Sequence, residues 1–442
     1  MNQLDKGIGA LRPVRVLGQL GRAARSARIT PELAWFMASP RYRADPYPAY
    51  RRLRRLDPVH LSPLGVLVVS EHRHVTAALR NPALSVDVTR IDASALHLGP
   101  LRHLLGRADA TEQGPFFDLL PELMLFRDPP DHTRLRALVN RAFTPRRVQE
   151  LEPRIRALAD ELLDDLAPGG SAELMGSFAY PFPARVICEL LGVPATDVAL
   201  VVDHAPALAA GLDPGPFLTA AARDAANVAA VELSGYLADL VRRRRLQPGD
   251  DLVSALVAPG AEDALTDHEL VGTLLLLLIA GHETTANLLG NSLVALLAQP
   301  DRTAELRADP GLHPAAVDEL LRFDSPVQMT MRIATDAVTI ADRTVPAGAI
   351  VILCTGAANR DPDVYPHPDR LDWHRRNNNA HLALGGGAHY CLGAPLARAE
   401  TRIALGALLE RLPGLALDGP PVRRPSFTIR ALSSLPLRWA PP

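Results

Sequence analysis

The stretch "HLALGGGAHYCLGAPLARAE", residues 381–400, places a cysteine between a run of glycines and a segment with helical periodicity. The glycines at 385–387 allow a tight loop with backbone angles that other residues rarely adopt. After the cysteine, residues 392–412 carry apolar side chains at helical spacing, so Cys391 lies near a predicted helix N-terminus, where partial positive charge favours a thiolate. The stretch therefore predicts an ionised, chemically active Cys391.

Three chemistries compete for this cysteine. An acyl-transfer nucleophile needs a histidine base, and His389 is close in sequence. A zinc ligand needs companion cysteines and histidines at usable spacing, which this sequence lacks. A haem axial ligand acts alone and suits a glycine loop followed by a helix best. The other two cysteines, Cys188 and Cys354, lie in apolar segments and are predicted to be packing residues.

Composition bounds the class of protein. Of 442 residues 48% are hydrophobic and the formal net charge is −2, which indicates a soluble globular protein with no bias toward nucleic acid. The single lysine is Lys6, so Schiff-base chemistry and phosphate-loop hydrolysis, which need a lysine inside the fold, are close to excluded. Three cysteines without a CxxC pair argue against a disulfide framework and favour a reducing cytoplasm.

The chain has no obvious linker, internal repeat or membrane segment. Its longest apolar run, residues 274–281, is far shorter than the ~20 residues of a membrane helix, so we expect no membrane span. Basic side chains outnumber acids in the first thirty residues, which predicts a basic N-terminal arm at 1–40 followed by a single domain at 41–442.

The periodicity along the chain predicts a mainly α fold with a small β region (α+β). Helical spacing dominates from residue 131 to about 300, whereas 337–355 and 426–439 show the alternation and turn residues of short strands. Residues 85–126 have no steady period, and such a long irregular loop in a compact protein is often a lid or substrate loop.

One predicted helix is unusually long. Thr266 and Glu269 form a capping-box pattern, and the apolar period then continues to Gln299, a length of roughly 50 Å at ~1.5 Å per residue. Such a helix crosses the whole molecule. Its middle reads "AGHETT", residues 280–285, which is unusual for a core.

Two interpretations of that middle segment stay open. Ala280 and Gly281 leave room for something large and flat, and the Thr284 hydroxyl can bond to the carbonyl of Ala280 and bend the helix. Thr284 and Glu283 would then hand protons inward through water. Alternatively, Gly281 permits helix packing while Glu283 and Thr284 face solvent.

Arginine and histidine side chains form two further candidate groups. His132 and Arg136 share a predicted helix face, and with Arg332 and His389 they are the donors that an organic dianion requires, although each alone reads as a surface charge. Glu319 and Arg322 lie three apart on one helix face. They form either an exposed pair or, with Arg370 or Arg375, a buried network.

These stretches together resemble the cytochrome P450 haem-thiolate monooxygenases. Residues 384–393 resemble their haem-ligand signature, usually Phe-Gly-x-Gly-x-His/Arg-x-Cys-x-Gly, and "AGHETT" resembles their oxygen-activating helix. "ELLR" (319–322) resembles their Glu-x-x-Arg motif, "ANRDPDVYPHPDRLD" (358–372) their meander, and "HTRLRALVNRAFTP" (132–145) the propionate-binding helix of bacterial members. The match spans roughly residues 40–440 in the family's order. Leu384 departs from the usual Phe, which affects redox tuning rather than ligation.

The resemblance implies a single P450-type fold in which haem b is sandwiched between the long helix and the cysteine loop. Cys391 would be the axial thiolate ligand of the iron, and Glu283 and Thr284 the acid–alcohol pair that delivers protons to dioxygen. Glu319, Arg322 and Arg370 would form the structural ion-pair network. The implied cofactor-binding residues are His132, Arg136, Ala280, Gly281, Arg332, Gly385, His389, Cys391 and Gly393.

The activity implied is insertion of one oxygen atom from dioxygen, as hydroxylation or epoxidation, into a small apolar molecule, in keeping with secondary metabolism. The alternatives are a peroxide-driven peroxygenase, against which Glu283 and Thr284 argue, and a haem-binding protein without turnover. The expected substrate pocket includes Leu277, Val327, Met329 and Phe427, whose apolar character suits a polyketide, terpene or fatty-acid derivative.

Electrons are expected from separate partners. The sequence has no complete GxGxxG fingerprint, so no nucleotide-binding reductase is fused, and a ferredoxin with its ferredoxin reductase would serve. A basic docking face for an acidic donor is predicted from Arg141, Arg146, Arg147, Arg398 and Arg402.

Overall fold

A computed structural model describes residues 42, 44–62, 64–92, 114–213, 218–258, 265–426 and 428–440. The predicted basic arm at 1–40 lies outside these residues. The helices are α1 (Tyr47–Leu56), α2 (His72–Leu79), α3 (Pro115–Leu119), α4 (Asp131–Ala142), α5 (Pro145–Leu166), α6 (Pro181–Leu191), α7 (Val198–Gly211), α8 (Ala220–Leu246), α9 (Leu252–Val257), α10 (Asp267–Leu297), α11 (Pro300–Ala308), α12 (His313–Phe323), α13 (Thr355–Ala358) and α14 (Ala394–Arg411). A π-helical turn, Met175–Ala179, directly precedes α6.

The strands are short and form small sheets. They are β1 (Val59–Leu61), β2 (Leu67–Val69), β3 (Leu84–Ser85), β4 (Ser171–Glu173), β5 (Thr330–Ala334), β6 (Val338–Ile340), β7 (Arg343–Val345), β8 (Ile350–Leu353), β9 (Ala416–Leu417), β10 (Val422–Arg423), β11 (Leu432–Ser434) and β12 (Pro436–Arg438). The five-stranded sheet has the order β1-β2-β8-β5-β3, with β2 and β8 parallel and the other pairs antiparallel. The predicted mainly α fold with a small β region is confirmed.

The long helix α10 is the centre of the helical core. Its capping box is present: the Thr266 hydroxyl accepts from the Glu269 amide at 3.2 Å, and the Glu269 carboxylate accepts from the Thr266 amide at 2.9 Å. Helices α6, α7, α8 and α14 pack around it. By length and composition α10 would span a bilayer, but 72% of its apolar window is buried inside the protein. Packing therefore accounts for its apolar composition.

One segment of the predicted helical region is a strand. β4 pairs antiparallel with β12, and Ala172 lies opposite Leu437. The hydrogen bonds that make this segment extended come from a partner near the other end of the chain, so local periodicity carries no signal for it.

Candidate active site

Cys391 lies at the end of a loop that only glycine can build at two positions. Gly385 has φ +73° and Gly387 has φ +65°, in the left-handed region, and a Cβ on Gly387 would lie 2.4 Å from the carbonyl oxygen of Leu79. The loop closes where the Cys391 amide donates to the carbonyl of Leu384 at 2.9 Å, and α14 begins three residues later. The sequence therefore positions one sulfur at a rigid turn against α2.

The free thiol of Cys391 is not ionised by this setting alone. Desolvation raises its pKa, and the hydrogen bond from the Gly393 amide and the charges of Arg136 and Arg398 only partly oppose that effect. The thiolate expected from the position near the helix N-terminus therefore stays a prediction. A metal ion deprotonates a coordinating thiol outright, so a bound metal would offset the effect of burial.

The nucleophile interpretation of Cys391 also loses its base. Burial lowers the pKa of His389 to about 3, with further lowering by the nearby cations of His132, Arg332 and Arg136. An imidazole with that pKa is a poor proton acceptor at neutral pH. Among the described residues no group of three His, Cys, Asp or Glu side chains forms a metal site, which also disfavours zinc.

Two arginine and two histidine side chains from three elements converge beside this loop. His132 and Arg136 belong to α4, Arg332 to β5, and His389 to the turn before Cys391. The rings of His132 and His389 lie 4.0 Å apart between centroids. The guanidinium of Arg136 donates to the carbonyl of Tyr390 at 2.6 Å, which ties α4 to the cysteine loop.

The buried members of this group form no ion pair within the described ranges, although the Asp128 carboxylate acts on them electrostatically. Arg332 is 5% exposed, and burial lowers its pKa to about 10. The Arg332 guanidinium donates to the Thr330 hydroxyl and the Met331 carbonyl, and within the described ranges it makes no ion pair. His132 is 2% exposed and its Nδ1 has no hydrogen-bond partner there. A buried guanidinium without an ion pair is costly, and the neighbouring Arg136 and histidines add further donors, so the group fits a dianion such as the two haem propionates.

The middle of α10 faces this region with small side chains. Ala280 is exposed although residues 274–279 are all buried, so the surface of α10 is uncovered at this turn. The Thr284 hydroxyl donates to the Ala280 carbonyl at 2.6 Å, as predicted from the spacing. Gly281 has a different role: a Cβ there would lie 3.2 Å from Cδ1 of Ile187 on α6. Its lack of a side chain therefore allows close packing of α10 on α6, and its contact with a cofactor stays a prediction.

Glu283 does not face solvent, so that alternative is wrong. The side chain is 0% exposed, and its Oε1 accepts from the Arg424 guanidinium and from Asn287 Nδ2 at 2.9 Å and lies 3.5 Å from the Tyr180 hydroxyl. Burial raises the pKa of Glu283, while Arg424 and the two neutral donors oppose the rise. Sequence reasoning missed all three partners. Asn287 could have been found, since it lies four residues along the same helix.

The Glu-x-x-Arg pair is buried and its third member is Arg375. Glu319 and Arg322 are both 0% exposed and share two hydrogen bonds of 2.7 Å. The Arg375 guanidinium donates to Glu319 Oε1 at 3.1 Å. The Arg370 side chain is exposed, and that residue contributes its main-chain carbonyl to Arg322 and Arg375. Its assignment to the network as a cation was wrong because its side chain points to solvent.

Three of the four predicted pocket residues, Leu277, Val327 and Met329, lie in the described part of the chain. Leu277 and Met329 are 9% and 6% exposed, and Val327 forms a β-bridge with Ile429. Phe427 and residues 93–113 of the predicted substrate loop lie outside the described residues. The substrate pocket therefore stays a prediction.

Leu384 and the other cysteines have packing roles. Leu384 joins a cluster with Leu288 of α10, Leu321 of α12 and Ala394 of α14, against which Cys391 packs. Aliphatic side chains thus fill the space beside the sulfur. Cys188 and Cys354 are buried and free, and burial raises the pKa of each to about 12, as expected for packing thiols.

The predicted basic docking face is largely neutralised by neighbouring acids. The pairs are Arg146 with Glu150 at 2.8 Å, Arg147 with Asp250 at 3.3 Å, Arg398 with Asp318 at 2.8 Å and Arg402 with Glu152 at 2.7 Å. Four of the five predicted arginines therefore contribute little net charge, because each lies beside a carboxylate.

Comparisons with known proteins define the class. The model of the cytochrome P450 family matches residues 217–310 and 312–421. The cytochrome P450 monooxygenase PikC of Streptomyces venezuelae is 42% identical over 99% of this chain and 97% of its own length. The vitamin D(3) 25-hydroxylase of Pseudonocardia autotrophica is 42% identical over 90% of this chain and 94% of its own. The chain is similar to these proteins along nearly its whole length.

Solved structures agree. P450BioI in complex with an acyl carrier protein that carries hexadec-9Z-enoic acid has a TM-score of 0.82 at 34% identity, covering 90% of this chain and 100% of that one. Ligand-free CYP164A2 of Mycobacterium smegmatis has a TM-score of 0.80 at 41% identity, covering 92% and 99%. The chain belongs to the cytochrome P450 family. It is a cytochrome P450 monooxygenase, an oxidoreductase of the haem-thiolate class.

Proposed function

We propose that this monooxygenase binds haem b through Cys391 and uses it to insert one atom of dioxygen into a small apolar molecule. The observation that carries the proposal is the contact between the Cys391 loop and α10. The Cys391 loop packs against Leu288 of α10, one turn beyond Thr284, and the side chains of His132, Arg136 and Arg332 border the same loop. The thiol loop thus adjoins both α10 and side chains that can donate to a dianion.

Different residues would bind different parts of the cofactor. Cys391 would supply the axial sulfur, His132, Arg136, Arg332 and His389 would bind the propionates, and the glycine loop would keep the sulfur at a fixed distance from α10. When bound, haem with a thiolate ligand supplies the dioxygen chemistry, and electron donation from the thiolate favours O–O cleavage.

The protein's own part in the reaction is to hold and move protons. The Thr284 hydroxyl donates to the carbonyl of Ala280, so its oxygen lone pairs remain available to accept a hydrogen bond. Glu283 adds an ionisable group in the same turn, away from bulk water. Retention of both groups supports dioxygen-dependent turnover over peroxide-driven chemistry or haem binding without turnover.

The substrate proposal is an apolar natural product such as a polyketide, terpene or fatty-acid derivative. Leu277 and Met329 are apolar and buried near the middle of the molecule. Relatives include the vitamin D(3) 25-hydroxylase and a pentalenic acid synthase of Streptomyces avermitilis, 40% identical over 89% of this chain. The first name gives hydroxylation of vitamin D(3), and the second gives formation of pentalenic acid.

We propose separate redox partners, a ferredoxin and its reductase, acting on one catalytic domain at 41–442 in the cytoplasm. The free, buried Cys188 and Cys354 fit a reducing compartment. Because most predicted docking arginines are paired, we expect reduction rates to fall only modestly as ionic strength rises. A steep fall of the reduction rate with ionic strength would instead support the strongly basic docking face that the sequence predicted.

A carbon-monoxide difference spectrum of the reduced protein tests the ligand. The wild type should show the Soret shift of a thiolate-ligated haem, and Cys391→Ser should lose it while Cys354→Ser keeps it. Wild-type protein without that shift would overturn the proposal. Dioxygen-dependent product formation, compared with product formed from peroxide alone, then separates monooxygenase from peroxygenase.

A further inference from the structure

The hydrogen bonds to the buried carboxylate of Glu283 all reach one of its two oxygens. Its Oε1 accepts from Arg424 and Asn287 and lies 3.5 Å from the Tyr180 hydroxyl, whereas its Oε2 has no hydrogen-bond partner among the described residues. Oε1 is therefore occupied by two protein donors. The other oxygen is the one left for water, for a proton or for a hydrogen bond toward Thr284.

Arg424 reaches Glu283 from the C-terminal part of the chain. It directly follows β10, and its amide donates to the carbonyl of Ala431 at 3.0 Å, just before β11. The Arg424 side chain is 23% exposed while Glu283 is 0% exposed. The guanidinium thus extends from the surface to a carboxylate in the interior.

Strand β11, which pairs with β10, is also hydrogen-bonded to two neutral side chains, Asn287 of α10 and Tyr180. The Leu432 amide donates to Asn287 Oδ1 at 2.8 Å, and the Tyr180 hydroxyl donates to the Leu432 carbonyl at 3.0 Å. These bonds fix the distance between β11 and the Glu283 turn. Arg424 is therefore held against Glu283 by the backbone on which it sits, rather than by its own side chain alone.

Arg424 is the single charged partner of Glu283 in the part of the chain described here. Burial lowers the pKa of His282 to about 4, and Tyr180 has its pKa raised to about 12, so both are neutral near pH 7. Asn287 is neutral. Removal of Arg424 would leave burial of the carboxylate opposed only by neutral hydrogen bonds.

We propose that Arg424 is a positioning residue for proton delivery: it keeps Glu283 ionised inside the protein, occupies Oε1, and leaves Oε2 as the oxygen that exchanges protons. Each transfer is balanced, because Oε2 takes one proton from a water that is re-protonated by bulk solvent and releases one proton toward the Thr284 side, and the carboxylate is regenerated. The guanidinium keeps all its protons. This inference rests on the proposed role of Glu283 in proton delivery.

The test compares Arg424→Gln, Arg424→Lys and Glu283→Gln with a matched surface control, Arg438→Gln. Arg438 also lies beside a carboxylate in the C-terminal region, Asp418 at 3.9 Å, but is 63% exposed. The first readout is an infrared titration of the carboxyl groups in haem-loaded ferric protein, with the Glu283→Gln spectrum subtracted to isolate Glu283. The second is the partition of reducing equivalents between product and peroxide as a function of pH.

In Arg424→Gln we expect the Glu283 titration to move to higher pH by about one unit or more, since burial then acts without a counter-charge. The pH dependence of the product fraction should move with it. Arg424→Lys should restore most of both, because it keeps the charge. Arg438→Gln should change neither.

Two results would overturn the proposal, and they differ. An unshifted Glu283 titration in folded, haem-loaded Arg424→Gln removes Arg424 from its role, even where Glu283→Gln still diverts electrons to peroxide. A product fraction that Glu283→Gln leaves unchanged contradicts the proposed role of Glu283 itself. A missing thiolate-type carbon-monoxide spectrum would instead contradict the proposed haem ligation.

Discussion

The guanidinium of Arg375 donates to Oε1 of Glu319 at 3.1 Å, although the two residues are 56 positions apart. Glu319 is already paired with Arg322 on its own helix, and the Asp372 amide adds a further donor at 2.9 Å. A buried carboxylate therefore joins α12 to the meander segment through charged donors that arrive from both.

Replacing Arg375 should destabilise the fold far more than replacing Arg370. Arg375→Gln removes a charged donor from a fully buried carboxylate, and we expect a loss of about 1–3 kcal/mol in the free energy of unfolding. Arg370→Gln changes an exposed side chain and should stay within about 0.5 kcal/mol of the wild type. Denaturant unfolding measures both, and equal losses would contradict the assignment of Arg375.

Alanine at the two neighbouring glycines of the cysteine loop should act differently. Gly387→Ala places a Cβ 2.4 Å from the Leu79 carbonyl oxygen at φ +65°, so we expect a cost of about 1–3 kcal/mol and lowered haem content. Gly386 has extended backbone, with φ −173°, and a Cβ there would lie 3.4 Å from Leu79 Cδ1. Gly386→Ala should be the milder change. Haem content per chain and the midpoint of thermal unfolding distinguish the two.

Arg332 should stabilise bound haem rather than the haem-free chain. Its guanidinium is buried without an ion pair among the described residues, so Arg332→Met should leave the haem-free protein as stable as the wild type or more stable. The same change should speed haem loss to an acceptor protein roughly tenfold or more, about 1.4 kcal/mol, as expected when one charged hydrogen bond to an anion is removed.

Arg343→Met is the control for that comparison, since Arg343 pairs with Asp57 at 3.2 Å and belongs to a different part of the β region. It should leave the rate of haem loss unchanged. Faster haem loss in Arg343→Met would show that the effect of Arg332→Met is general loosening of the sheets.

His282 should make the fold sensitive to acid. Its folded pKa is lowered to about 4 by burial, so the unfolded chain binds more protons at this residue between pH ~6.5 and pH ~4. Its contribution to stability is therefore present above that window and is lost as pH falls through it, by up to about 3 kcal/mol. His282→Gln should flatten the pH dependence of unfolding over this window. An unchanged slope would show that His282 does not become charged on unfolding.

The sequence by itself determined the class of the protein and its local chemistry. Cys391, the glycines before it and the capping box at Thr266 and Glu269 are short-range signals, because loop geometry and helix starts depend on neighbours in sequence. The pair Glu319–Arg322 is likewise local, at a spacing of three on one helix. Family resemblance rested on these same motifs and their order, and the comparisons confirmed it.

Only the tertiary structure decided which side chains meet across the chain. Arg375 rather than Arg370 completes the buried network, Gly281 packs against Ile187, and Arg424 reaches Glu283 from far along the sequence. The burial that raises the pKa of the Cys391 thiol was likewise visible only in the folded chain. Contacts between distant segments and the desolvation of a buried group depend on how whole elements pack, and residue spacing carries no record of that packing.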